Sequence, residues 1–344
     1  SVPLQPTPPD DRTYDRERTK RKRAATLAGI RRHTFSAAVL KAVPEWPIVY
    51  WWSDSAMAAY STTPKIGDTS RAKKGLSTGK DVRFIRFAWE IRHADLFIAR
   101  FDQDVPAQEI KWSPAVYGAK SKVWFEPLDL VINWPRSGLE LFQFNTVSRG
   151  VRIQNVEFYF QLGVAFSAIG ADFSSRIHRY RSIFGDKGPS VFPLDLAAVV
   201  CAMNTTRGRS VIHDLNPSIS YQPGDVDRLP LCSVVGAHQI VATLNECFGE
   251  HESHREPSVE FRHPGPSPWR HAQAWAQIAV DRPEGTPLPE YLAEHDPEPA
   301  SDHLSNALGV ALGRFGANGE GILDPAKDDL GHALPAGILF LDTT

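Results

Sequence analysis

The stretch that decides the fold lies between positions 149 and 231 and contains the blocks RGVRIQNVEFYFQLGVAFSAIG (149–170), FSSRIHRYRSIFGDKGPSVFP (173–193), LDLAAVVCAMNT (194–205) and LNPSISYQPGDVDRLPL (215–231). Aromatic and β-branched residues crowd the first block and predict a strand over 151–160. The block after Pro193 is apolar nearly all round, which predicts a buried helix. Asn216-Pro217 and Gly224-Asp225 are turn signals.

The flanking segments add further helices and strands. Helical periodicity predicts helices over VVGAHQIVATLNEC (234–247) and WRHAQAWAQIAVDR (269–282). A short helix is expected from Ala56 to Tyr60 with Ser53 or Asp54 as its cap. The run WPIVYWW (46–52) predicts a buried strand or a packed entry to a domain core. We therefore predict an α+β fold with mixed strands and interspersed helices.

Changes in composition divide the chain into three regions. Residues 1–45 form a basic arm and helix, which we expect to link to an absent upstream part. Residues 46–249 form the main mixed-strand domain. Residues 250–344 are acidic and rich in proline, and we expect a smaller, mostly helical or irregular extension there.

Charge is distributed unevenly along the chain. Residues 1–100 carry 19 Lys+Arg against 10 Asp+Glu, residues 101–200 carry 10 of each, and residues 201–344 carry 9 against 20. A basic front half is typical of a surface that faces nucleic acid, although scatter alone gives part of such a gradient. The segment Arg18–Arg23 is either an arm that contacts phosphates or the solvated first turns of a helix.

The cysteines and the hydropathy bear on location. The chain has three cysteines, at widely spaced positions, and an odd number does not make a disulfide framework. No apolar run reaches the length that crosses a bilayer. We expect a soluble protein of the reducing cytoplasm.

The segment KKGLSTGKDVRF (73–84) has the composition of a phosphate-contacting loop. Gly75 and Gly79 permit close backbone approach, and the hydroxyl of Thr78 can donate to a phosphate oxygen. The spacing is not that of a Walker loop. The alternative is an ordinary turn before a strand over 82–89.

Other segments leave alternatives open. Lys111, Trp112, Lys120, Lys122 and Trp124 interleave bases with aromatics, as in a stacking surface, but tryptophans are equally at home in a core. Asp104 and Glu109 with Lys111 resemble a metal-dependent nuclease pattern, with a spacing too short for adjacent strands. Cys247, His251 and His254 are either zinc ligands or surface groups at a helix end.

Three segments together resemble a known family, the large adenine-N6 DNA methyltransferases of the BREX PglX type, the DISARM methylases and the type IIG restriction-modification enzymes. The first is Lys74-Gly75-Leu76 with Thr78-Gly79, Arg83-Phe84 and Trp89-Glu90. The second comprises Trp112, Pro114, Gly118, Lys120 and the segment 122–125. The third comprises Gln154-Asn155, the segment 158–163, Phe173-Ser174, Arg176, Gly188-Pro189-Ser190, Asn204, Asn216-Pro217-Ser218, Gly224-Asp225 and Leu229-Pro230.

The resemblance covers about residues 46–232 and matches the target-recognition region of those enzymes. It implies that residues 46–249 form a DNA target-recognition domain that selects and holds duplex DNA. It also implies partners, namely an upstream methyltransferase domain or a separate methylase subunit, and other subunits of a restriction-modification or phage-defence system.

Such a module needs phosphate contacts for affinity and a few base readers for sequence. The phosphate candidates are Lys73, Lys74, Thr78, Lys80, Arg83, Lys120, Lys122, Arg176, Arg179 and Arg181. The base-reading candidates are Arg149, Arg152, Gln154 and Asn155, because Arg pairs with guanine and Asn or Gln with adenine in the major groove. A hydrogen-bonded turn is the equal alternative for Gln154 and Asn155.

The sequence departs from the family at the catalytic motif. The family uses an Asn-Pro-Pro-Tyr type motif, and this chain has Asn216-Pro217-Ser218-Ile219. It also lacks the glycine-bearing first strand that binds S-adenosylmethionine in the family. We therefore expect no catalytic residue, cofactor or metal in this chain, and a core with S-adenosylmethionine elsewhere. Asn216-Pro217 is then a structural turn. A protein-interaction scaffold and a metal-dependent nuclease are the alternative functions.

Overall fold

The computed structural model describes residues 16–29, 35–99, 111–118, 122–148, 150–170 and 172–315. The chain divides into two compact units, Ser1–Thr62 and Thr63–Thr344. Helices alternate with short strands that pair in both orientations. The fold is therefore α+β, as the sequence predicts.

The first unit contains α1 (Arg16–Leu27), α2 (Ala37–Leu40) and α3 (Asp54–Thr62). Ser53 caps α3, because its Oγ accepts a hydrogen bond of 3.1 Å from the amide of Ala56. Met57 and Tyr60 are the buried residues of this helix. The predicted short helix and its cap are confirmed.

The aromatic run at 46–52 does not form the buried strand that its composition predicts, although Val49 within it is fully buried. Trp46 and Trp51 are 60% and 51% exposed. Glu45 and Trp46 have left-handed backbone angles, with φ of 64° and 52°. Pro47 has no N–H to donate to a neighbouring strand. Backbone conformation at the start of the run therefore overrides the β propensity of its side chains.

The second unit contains three sheets in its described part. Its strands are β1 (Ser77–Thr78), β2 (Ile85–Phe87), β3 (Trp112–Val116), β4 (Trp124–Glu126), β5 (Leu130–Asn133), β6 (Val151–Arg152), β7 (Val164–Phe166), β8 (Ser175–His178), β9 (Ile183–Phe184) and β10 (Ser190–Val191). Its helices are α4 (Ile66–Thr69), α5 (Asp81–Phe84), α6 (Leu139–Val147), α7 (Leu196–Asn204), α8 (Thr206–Leu215), α9 (Pro223–Asp227), α10 (Ala237–His254), α11 (Trp269–Asp281) and α12 (Ala300–Ala311).

Two of the sheets have four strands each, in the orders β10-β7-β8-β4 and β2-β5-β3-β9. In each of them the last pair is parallel, β8 with β4 and β3 with β9, and the other pairs are antiparallel. The third sheet is the short antiparallel pair β1-β6. The unit is thus built from mixed sheets of short strands.

Alternate residues of β7 serve two different cores. Val164 and Phe166 join a cluster with residues of the helices α7, α10 and α11. Ala165, between them, joins a second cluster that includes Phe184 of β9 and Leu141 of α6. Successive side chains of a strand point to opposite faces of its sheet. The sheet of β7 therefore lies between a helical layer and the rest of the second core.

Three predicted helices are confirmed. The apolar block after Pro193 forms α7, and seven of its nine residues are buried. The amide of Ala198 donates to Asp195 Oδ1 at 2.9 Å and caps that helix. The helices predicted at 234–247 and 269–282 correspond to α10 and α11. The predicted domain boundary at residue 250 falls within α10, which continues to His254.

The strand predicted over 151–160 is wrong beyond its first residues. Only Val151–Arg152 pairs as a strand, and a left-handed Asn155 then leads into a single 3-10 turn at Val156–Phe158. The turn expected at Gly224-Asp225 lies inside α9. Pro223 suits a first helical turn, and Asp225 accepts a hydrogen bond of 2.8 Å from the amide of Gln222.

The strand predicted over 82–89 is shorter than expected. It begins after α5 (Asp81–Phe84), spans Ile85–Phe87 and ends in a 3-10 turn at Ala88–Glu90. Separately, none of the described helices combines the length and the apolar character that a bilayer crossing needs.

Gly75 gives a test of this packing. A Cβ at Gly75 would lie 1.8 Å from the carbonyl oxygen of Phe184, which belongs to the backbone of β9. We expect Gly75→Ala to lower the free energy of unfolding by about 3 kcal/mol, because the backbone must move to relieve the overlap. Chemical denaturation of both proteins measures the difference.

Gly249→Ala in α10 is the matched control. Its Cβ would meet only the Arg179 guanidinium, at 3.4 Å. Since Ala is a better helix former than Gly, we expect this variant to gain up to about 1 kcal/mol. Equal stabilities for the two variants would contradict the close contact between Gly75 and β9.

Candidate nucleic-acid interface

The loop from Lys73 to Gly79 is held by two amide side chains. Gln154 Nε2 donates to the carbonyl oxygen of Gly75 at 2.9 Å, and Asn155 Nδ2 donates to the carbonyl oxygen of Lys74 at 2.7 Å. Leu76 is fully buried below the loop. Gln154 and Asn155 thus use their donors inside the protein, which favours the hydrogen-bonded turn over base reading for both.

The loop ends in a close contact between two glycines. A Cβ on Gly79, whose φ is +66°, would lie 2.7 Å from the carbonyl carbon of Gly150, and a Cβ on Gly150 would lie 3.0 Å from Gly79 Cα. This contact continues the pairing of β1 with β6, in which Ser77 is opposite Arg152. Two segments that are distant in sequence are therefore held together, with Arg152 in β6 opposite Ser77 and Lys80 two residues after the end of β1.

Lys80 and Arg152 are the predicted cations that the fold leaves most available. Both are exposed. Within the described residues neither side chain has an ion-pair partner. A solvated cation of this kind can exchange its counter-ion for a phosphate without breaking a contact of the protein.

Thr78 has a structural role. Its side chain is fully buried, and its hydroxyl donates to Asp81 Oδ1 at 2.5 Å. Lys187 Nζ also binds Asp81, at 2.9 Å. Burial alone would raise the pKa of Asp81, but the bonds from Thr78 and Lys187 lower that pKa below its ordinary value. This placement replaces the predicted phosphate contact of Thr78.

Arg83 lies at the junction of α5 and α6. Its Nη2 is 2.8 Å from Glu140 Oε1, and its side chain is 47% exposed. Its guanidinium also lies over the rings of Phe84 and Phe144, at 5.3 and 5.0 Å from their centres. The stacking fixes the guanidinium while one side stays open to solvent, so Arg83 remains available to a phosphate.

Lys73 and Lys74 are half-buried. The Lys73 ammonium lies 5.4 Å from the centre of the Phe158 ring. Lys74 Nζ donates to Gln222 Oε1 at 2.6 Å. Both partners are uncharged, so neither of these two contacts is an ion pair.

Arg176 and Lys122 belong to a buried network of charges. Arg176 is fully buried and ion-pairs with Glu126. Lys122 binds Glu126 and Asp129, at 2.8 and 2.9 Å. Arg255 of the loop after α10 also binds Asp129, at 3.0 Å. Both predicted phosphate contacts are thereby replaced by a structural role, because these charges face carboxylates inside the protein.

Arg179 and Arg181 lie after β8. Arg179 pairs with both oxygens of Glu260, at 2.7 and 2.8 Å, and its guanidinium is 5.2 Å from the centre of the Phe248 ring. Only 6% of its side chain is exposed. Arg181 is half-buried, and its guanidinium lies 3.4 Å from the carbonyl oxygen of Phe160. Arg179 joins the C-terminal helices to the sheet and is not available to a phosphate.

Some predictions lie outside the described residues. They are those for Lys120 and Arg149 in the interface and those for Asp104 and Glu109 in the nuclease pattern. The structure in turn adds two exposed cations, Lys187, which binds Asp81 just after this loop, and Arg136, in the turn before α6. The turn GDKG at 185–188 was the available signal for Lys187.

A cleft with a volume of about 790 Å³ lies elsewhere, between α7, α10 and the sheet of β8. Two of its polar side chains already contact partners, Arg179 with Glu260 and His238 with Asp195 at 3.3 Å. Burial lowers the pKa of His178, which also lines it, to about 3, so this imidazole is neutral near pH 7. The cleft holds no arranged acid, base and nucleophile.

The candidate zinc ligands are not gathered in one place. Among the described residues no group of three or more His, Cys, Asp or Glu side chains is arranged to hold a metal ion. His251 Nδ1 instead lies 2.8 Å from Ser267 Oγ, and its ring stacks on Trp269.

Asn216 has the structural role that was predicted, since its Oδ1 accepts from the amide of Ser218 at 3.0 Å.

Comparison with known proteins gives a relative named for its activity. No family model matches the chain. The chain is 25% identical over 197 residues to the adenine-specific methyltransferase BrxX of Escherichia coli O9:H4 (strain HS). The aligned part is 56% of this chain and 15% of the relative, so the chain spans a small fraction of that protein's length. The similarity confirms the part of the resemblance that concerns adenine-specific methyltransferases.

The resemblance implies S-adenosylmethionine for the family, and the described residues do not fit that cofactor. Nucleotide-type cofactors bind where a parallel strand leads into a helix through a glycine turn. Neither parallel pair, β4-β8 or β3-β9, is formed by consecutive strands joined through one helix. No step of methyl transfer is therefore assigned to these residues.

Arg176 gives the sharpest test of the buried network. We expect Arg176→Leu to lower the free energy of unfolding by about 3–5 kcal/mol, because Glu126 then loses its buried guanidinium partner. Lys80→Ala is the control, and as an exposed change it should stay within about 0.5 kcal/mol of the wild type. An Arg176→Leu protein of unchanged stability that binds DNA less tightly would contradict the structural role.

Asp129 gives a test with pH. Burial alone would raise the pKa of its carboxyl, but Lys122 and Arg255 hold that pKa below its ordinary value of 3.8. A depressed pKa contributes stability above the unfolded-state value, and this contribution is lost as the pH falls through the folded-state value. We expect the melting temperatures of wild type and Asp129→Asn to differ most above about pH 5 and to converge below about pH 4. A gap that widens in acid would contradict the ion pairs.

Proposed function

We propose that this chain is the DNA target-recognition portion of an S-adenosylmethionine-dependent adenine-N6 DNA methyltransferase of a bacterial restriction-modification or phage-defence system. In this proposal it binds duplex DNA and positions the adenine, and the methylase core lies outside this sequence. The similarity to an adenine-specific methyltransferase supports the methylase relationship. The observation that best supports DNA binding is that Lys80 and Arg152 are both exposed and have no ion-pair partner among the described residues.

The arrangement around this pair suits a phosphate backbone. Phosphate contacts supply most of the affinity of a DNA-binding protein, and glycine loops let a backbone approach a phosphate closely. Here Gly79 and Gly150 are in contact, and the two cations lie in the segments that this contact joins. We assign Lys73, Lys74, Arg83, Arg136 and Lys187 to the same proposed surface.

The chemistry of adenine methylation requires separate contacts for holding the DNA and for choosing its sequence. An enzyme that methylates adenine must take the base out of the duplex, so some part of it has to hold the flanking DNA in place. Phosphate contacts fix register and orientation, and base contacts choose the sequence. We assign the first of these tasks to the surface at Lys80 and Arg152.

The salt dependence of DNA binding tests this proposal. For the full chain and a short duplex, we expect the affinity to fall linearly with the logarithm of the salt concentration. The double variant Lys80→Ala, Arg152→Ala should bind more weakly and should lower that slope by about 2, because each phosphate contact contributes about 1. Fluorescence anisotropy at several salt concentrations gives both quantities.

Arg262→Ala is the matched control, since Arg262 is also exposed but follows α10 rather than the loop. It should keep the wild-type slope. A wild-type chain that binds no duplex, or binds without salt dependence, would overturn the proposal. Equal losses in the control and the double variant would overturn the assignment to this surface.

A second role in protein interaction is supported by α12. Leu304 and Leu308 are 64% and 57% exposed and lie one helical turn apart. Apolar residues at this spacing form a stripe on one face of a helix. We propose that this stripe in the C-terminal region contacts another subunit of the same defence system, in addition to the DNA-binding role.

A further inference from the structure

The helix α6 has an unusual outer face. Its inner residue Leu141 is fully buried in the second core. On the opposite side Phe142 is 45% exposed, and Gln143 and Thr146 are exposed as well. These three residues are spaced as one stripe of a helix. The side-chain amide of Gln143 makes no hydrogen bond within the described part of the chain.

A strained turn sets the direction of α6. Arg136, Ser137 and Gly138 all have left-handed backbone angles, with φ of 49°, 55° and 81°. A Cβ on Gly138 would lie 2.6 Å from the ring of Trp134. Left-handed non-glycine residues cost energy and persist where the surroundings over-determine them. The turn therefore holds the helix at a fixed angle to β5.

Side-chain contacts hold the start of α6 from the other side. Asn133 Nδ2 donates to Glu140 Oε2 at 2.9 Å, and Arg83 binds Glu140 Oε1 at 2.8 Å. Phe144 packs against Phe84 with ring centres 5.4 Å apart. A helix held by these contacts, with an exposed side-chain amide, is suited to bind a partner. Little conformational entropy is lost on binding, because the helix is already ordered in the free protein.

The charge around α6 favours a nucleic acid over a protein. Residues 77–87, 136–148 and 150–152 contain five cations, Lys80, Arg83, Arg86, Arg136 and Arg152, and two carboxylates, Asp81 and Glu140. Both carboxylates are bound by basic side chains of the protein. The solvent-facing field next to the stripe is therefore positive, which matches a phosphate backbone.

We propose that α6 is the base-reading element and lies in the major groove of duplex DNA, a step that rests on the proposed function. The major groove is wide enough to admit one α-helix. Gln143 then pairs with the N6 and N7 edge of an adenine. The ring of Phe142 and the methyl group of Thr146, whose hydroxyl donates to the Gln143 carbonyl at 2.7 Å, contact thymine methyl groups.

This proposal moves sequence reading from Gln154 and Asn155 to Gln143. The amides of Gln154 and Asn155 are bound to the loop, whereas that of Gln143 faces solvent. Arg152 and Lys80 then bind the phosphates that flank the reading helix. Affinity and specificity are thereby carried by different residues of one surface.

Selection from a library of randomised duplexes tests the proposal with the full chain. We expect the wild type to enrich a motif that contains adenine. Gln143→Ala should keep its salt-dependent affinity for random duplex and lose about 5- to 150-fold of the preference at one or two adenine positions, the range for one bidentate contact. Phe142→Ala should weaken the preference at adjacent thymines.

Gln239→Ala is the matched control, because Gln239 is an exposed glutamine near the start of α10. It should select the wild-type motif. Thermal unfolding checks folding. Gln143→Ala and Gln239→Ala change exposed polar side chains and should keep the wild-type melting temperature, whereas Phe142→Ala also removes a ring that lies 6.5 Å from the Trp134 ring and should melt at a lower temperature.

The outcomes separate this inference from the proposed function. A Gln143→Ala protein that selects the wild-type motif would overturn the inference and leave DNA binding in place. A wild type that binds duplex but enriches no motif would do the same. A wild type that binds no duplex at all would overturn the proposed function with it. Self-association that is lost in Phe142→Ala, with unchanged DNA selection, would assign the stripe to a protein partner and overturn the inference.

Discussion

The pair of hydrogen bonds from Gln154 and Asn155 to the backbone of Gly75 and Lys74 is the constraint on which the rest of the interface depends. It attaches the loop after α4 to the segment after β6, more than seventy residues further along the chain. Because Gly75 also lies directly against β9, the loop has one position relative to the second core. Lys80, which follows β1, takes its place from that position.

Ion pairing decides which basic residues can act on a partner. The charges of Arg176, Lys122 and Arg179 face Glu126, Asp129 and Glu260 in partly or fully buried sites, where removing one partner is costly. These contacts link β8 to its neighbour β4 within one sheet, and link that sheet to the segment after α10. The positive field that remains for a ligand comes from a smaller set of basic side chains beside β1 and β6. The positive charge is therefore concentrated on one part of the surface.

Local signals in the sequence predicted the helices well and the site only in part. The helices α7, α10 and α11 follow from apolar periodicity, a property of neighbouring residues. The aromatic run at 46–52 does not form the predicted strand, because the backbone angles at Glu45 and Trp46 outweigh the β propensity of its side chains. The basic candidates at Arg176 and Arg179 could not be sorted, since their partners Glu126 and Glu260 lie 50 and 81 positions away. For the same reason Gln154 looked like a reader and Gln143 did not.

Amide hydrogen exchange of the full chain, with and without a saturating duplex, tests whether β1, β6 and α6 form the DNA-binding surface, because it reports which segments become protected on binding. We expect slower exchange over residues 77–84, 139–148 and 150–152, with α11 and α12 unchanged. Protection confined to α11 and α12, or no change at β1, β6 and α6, would contradict it.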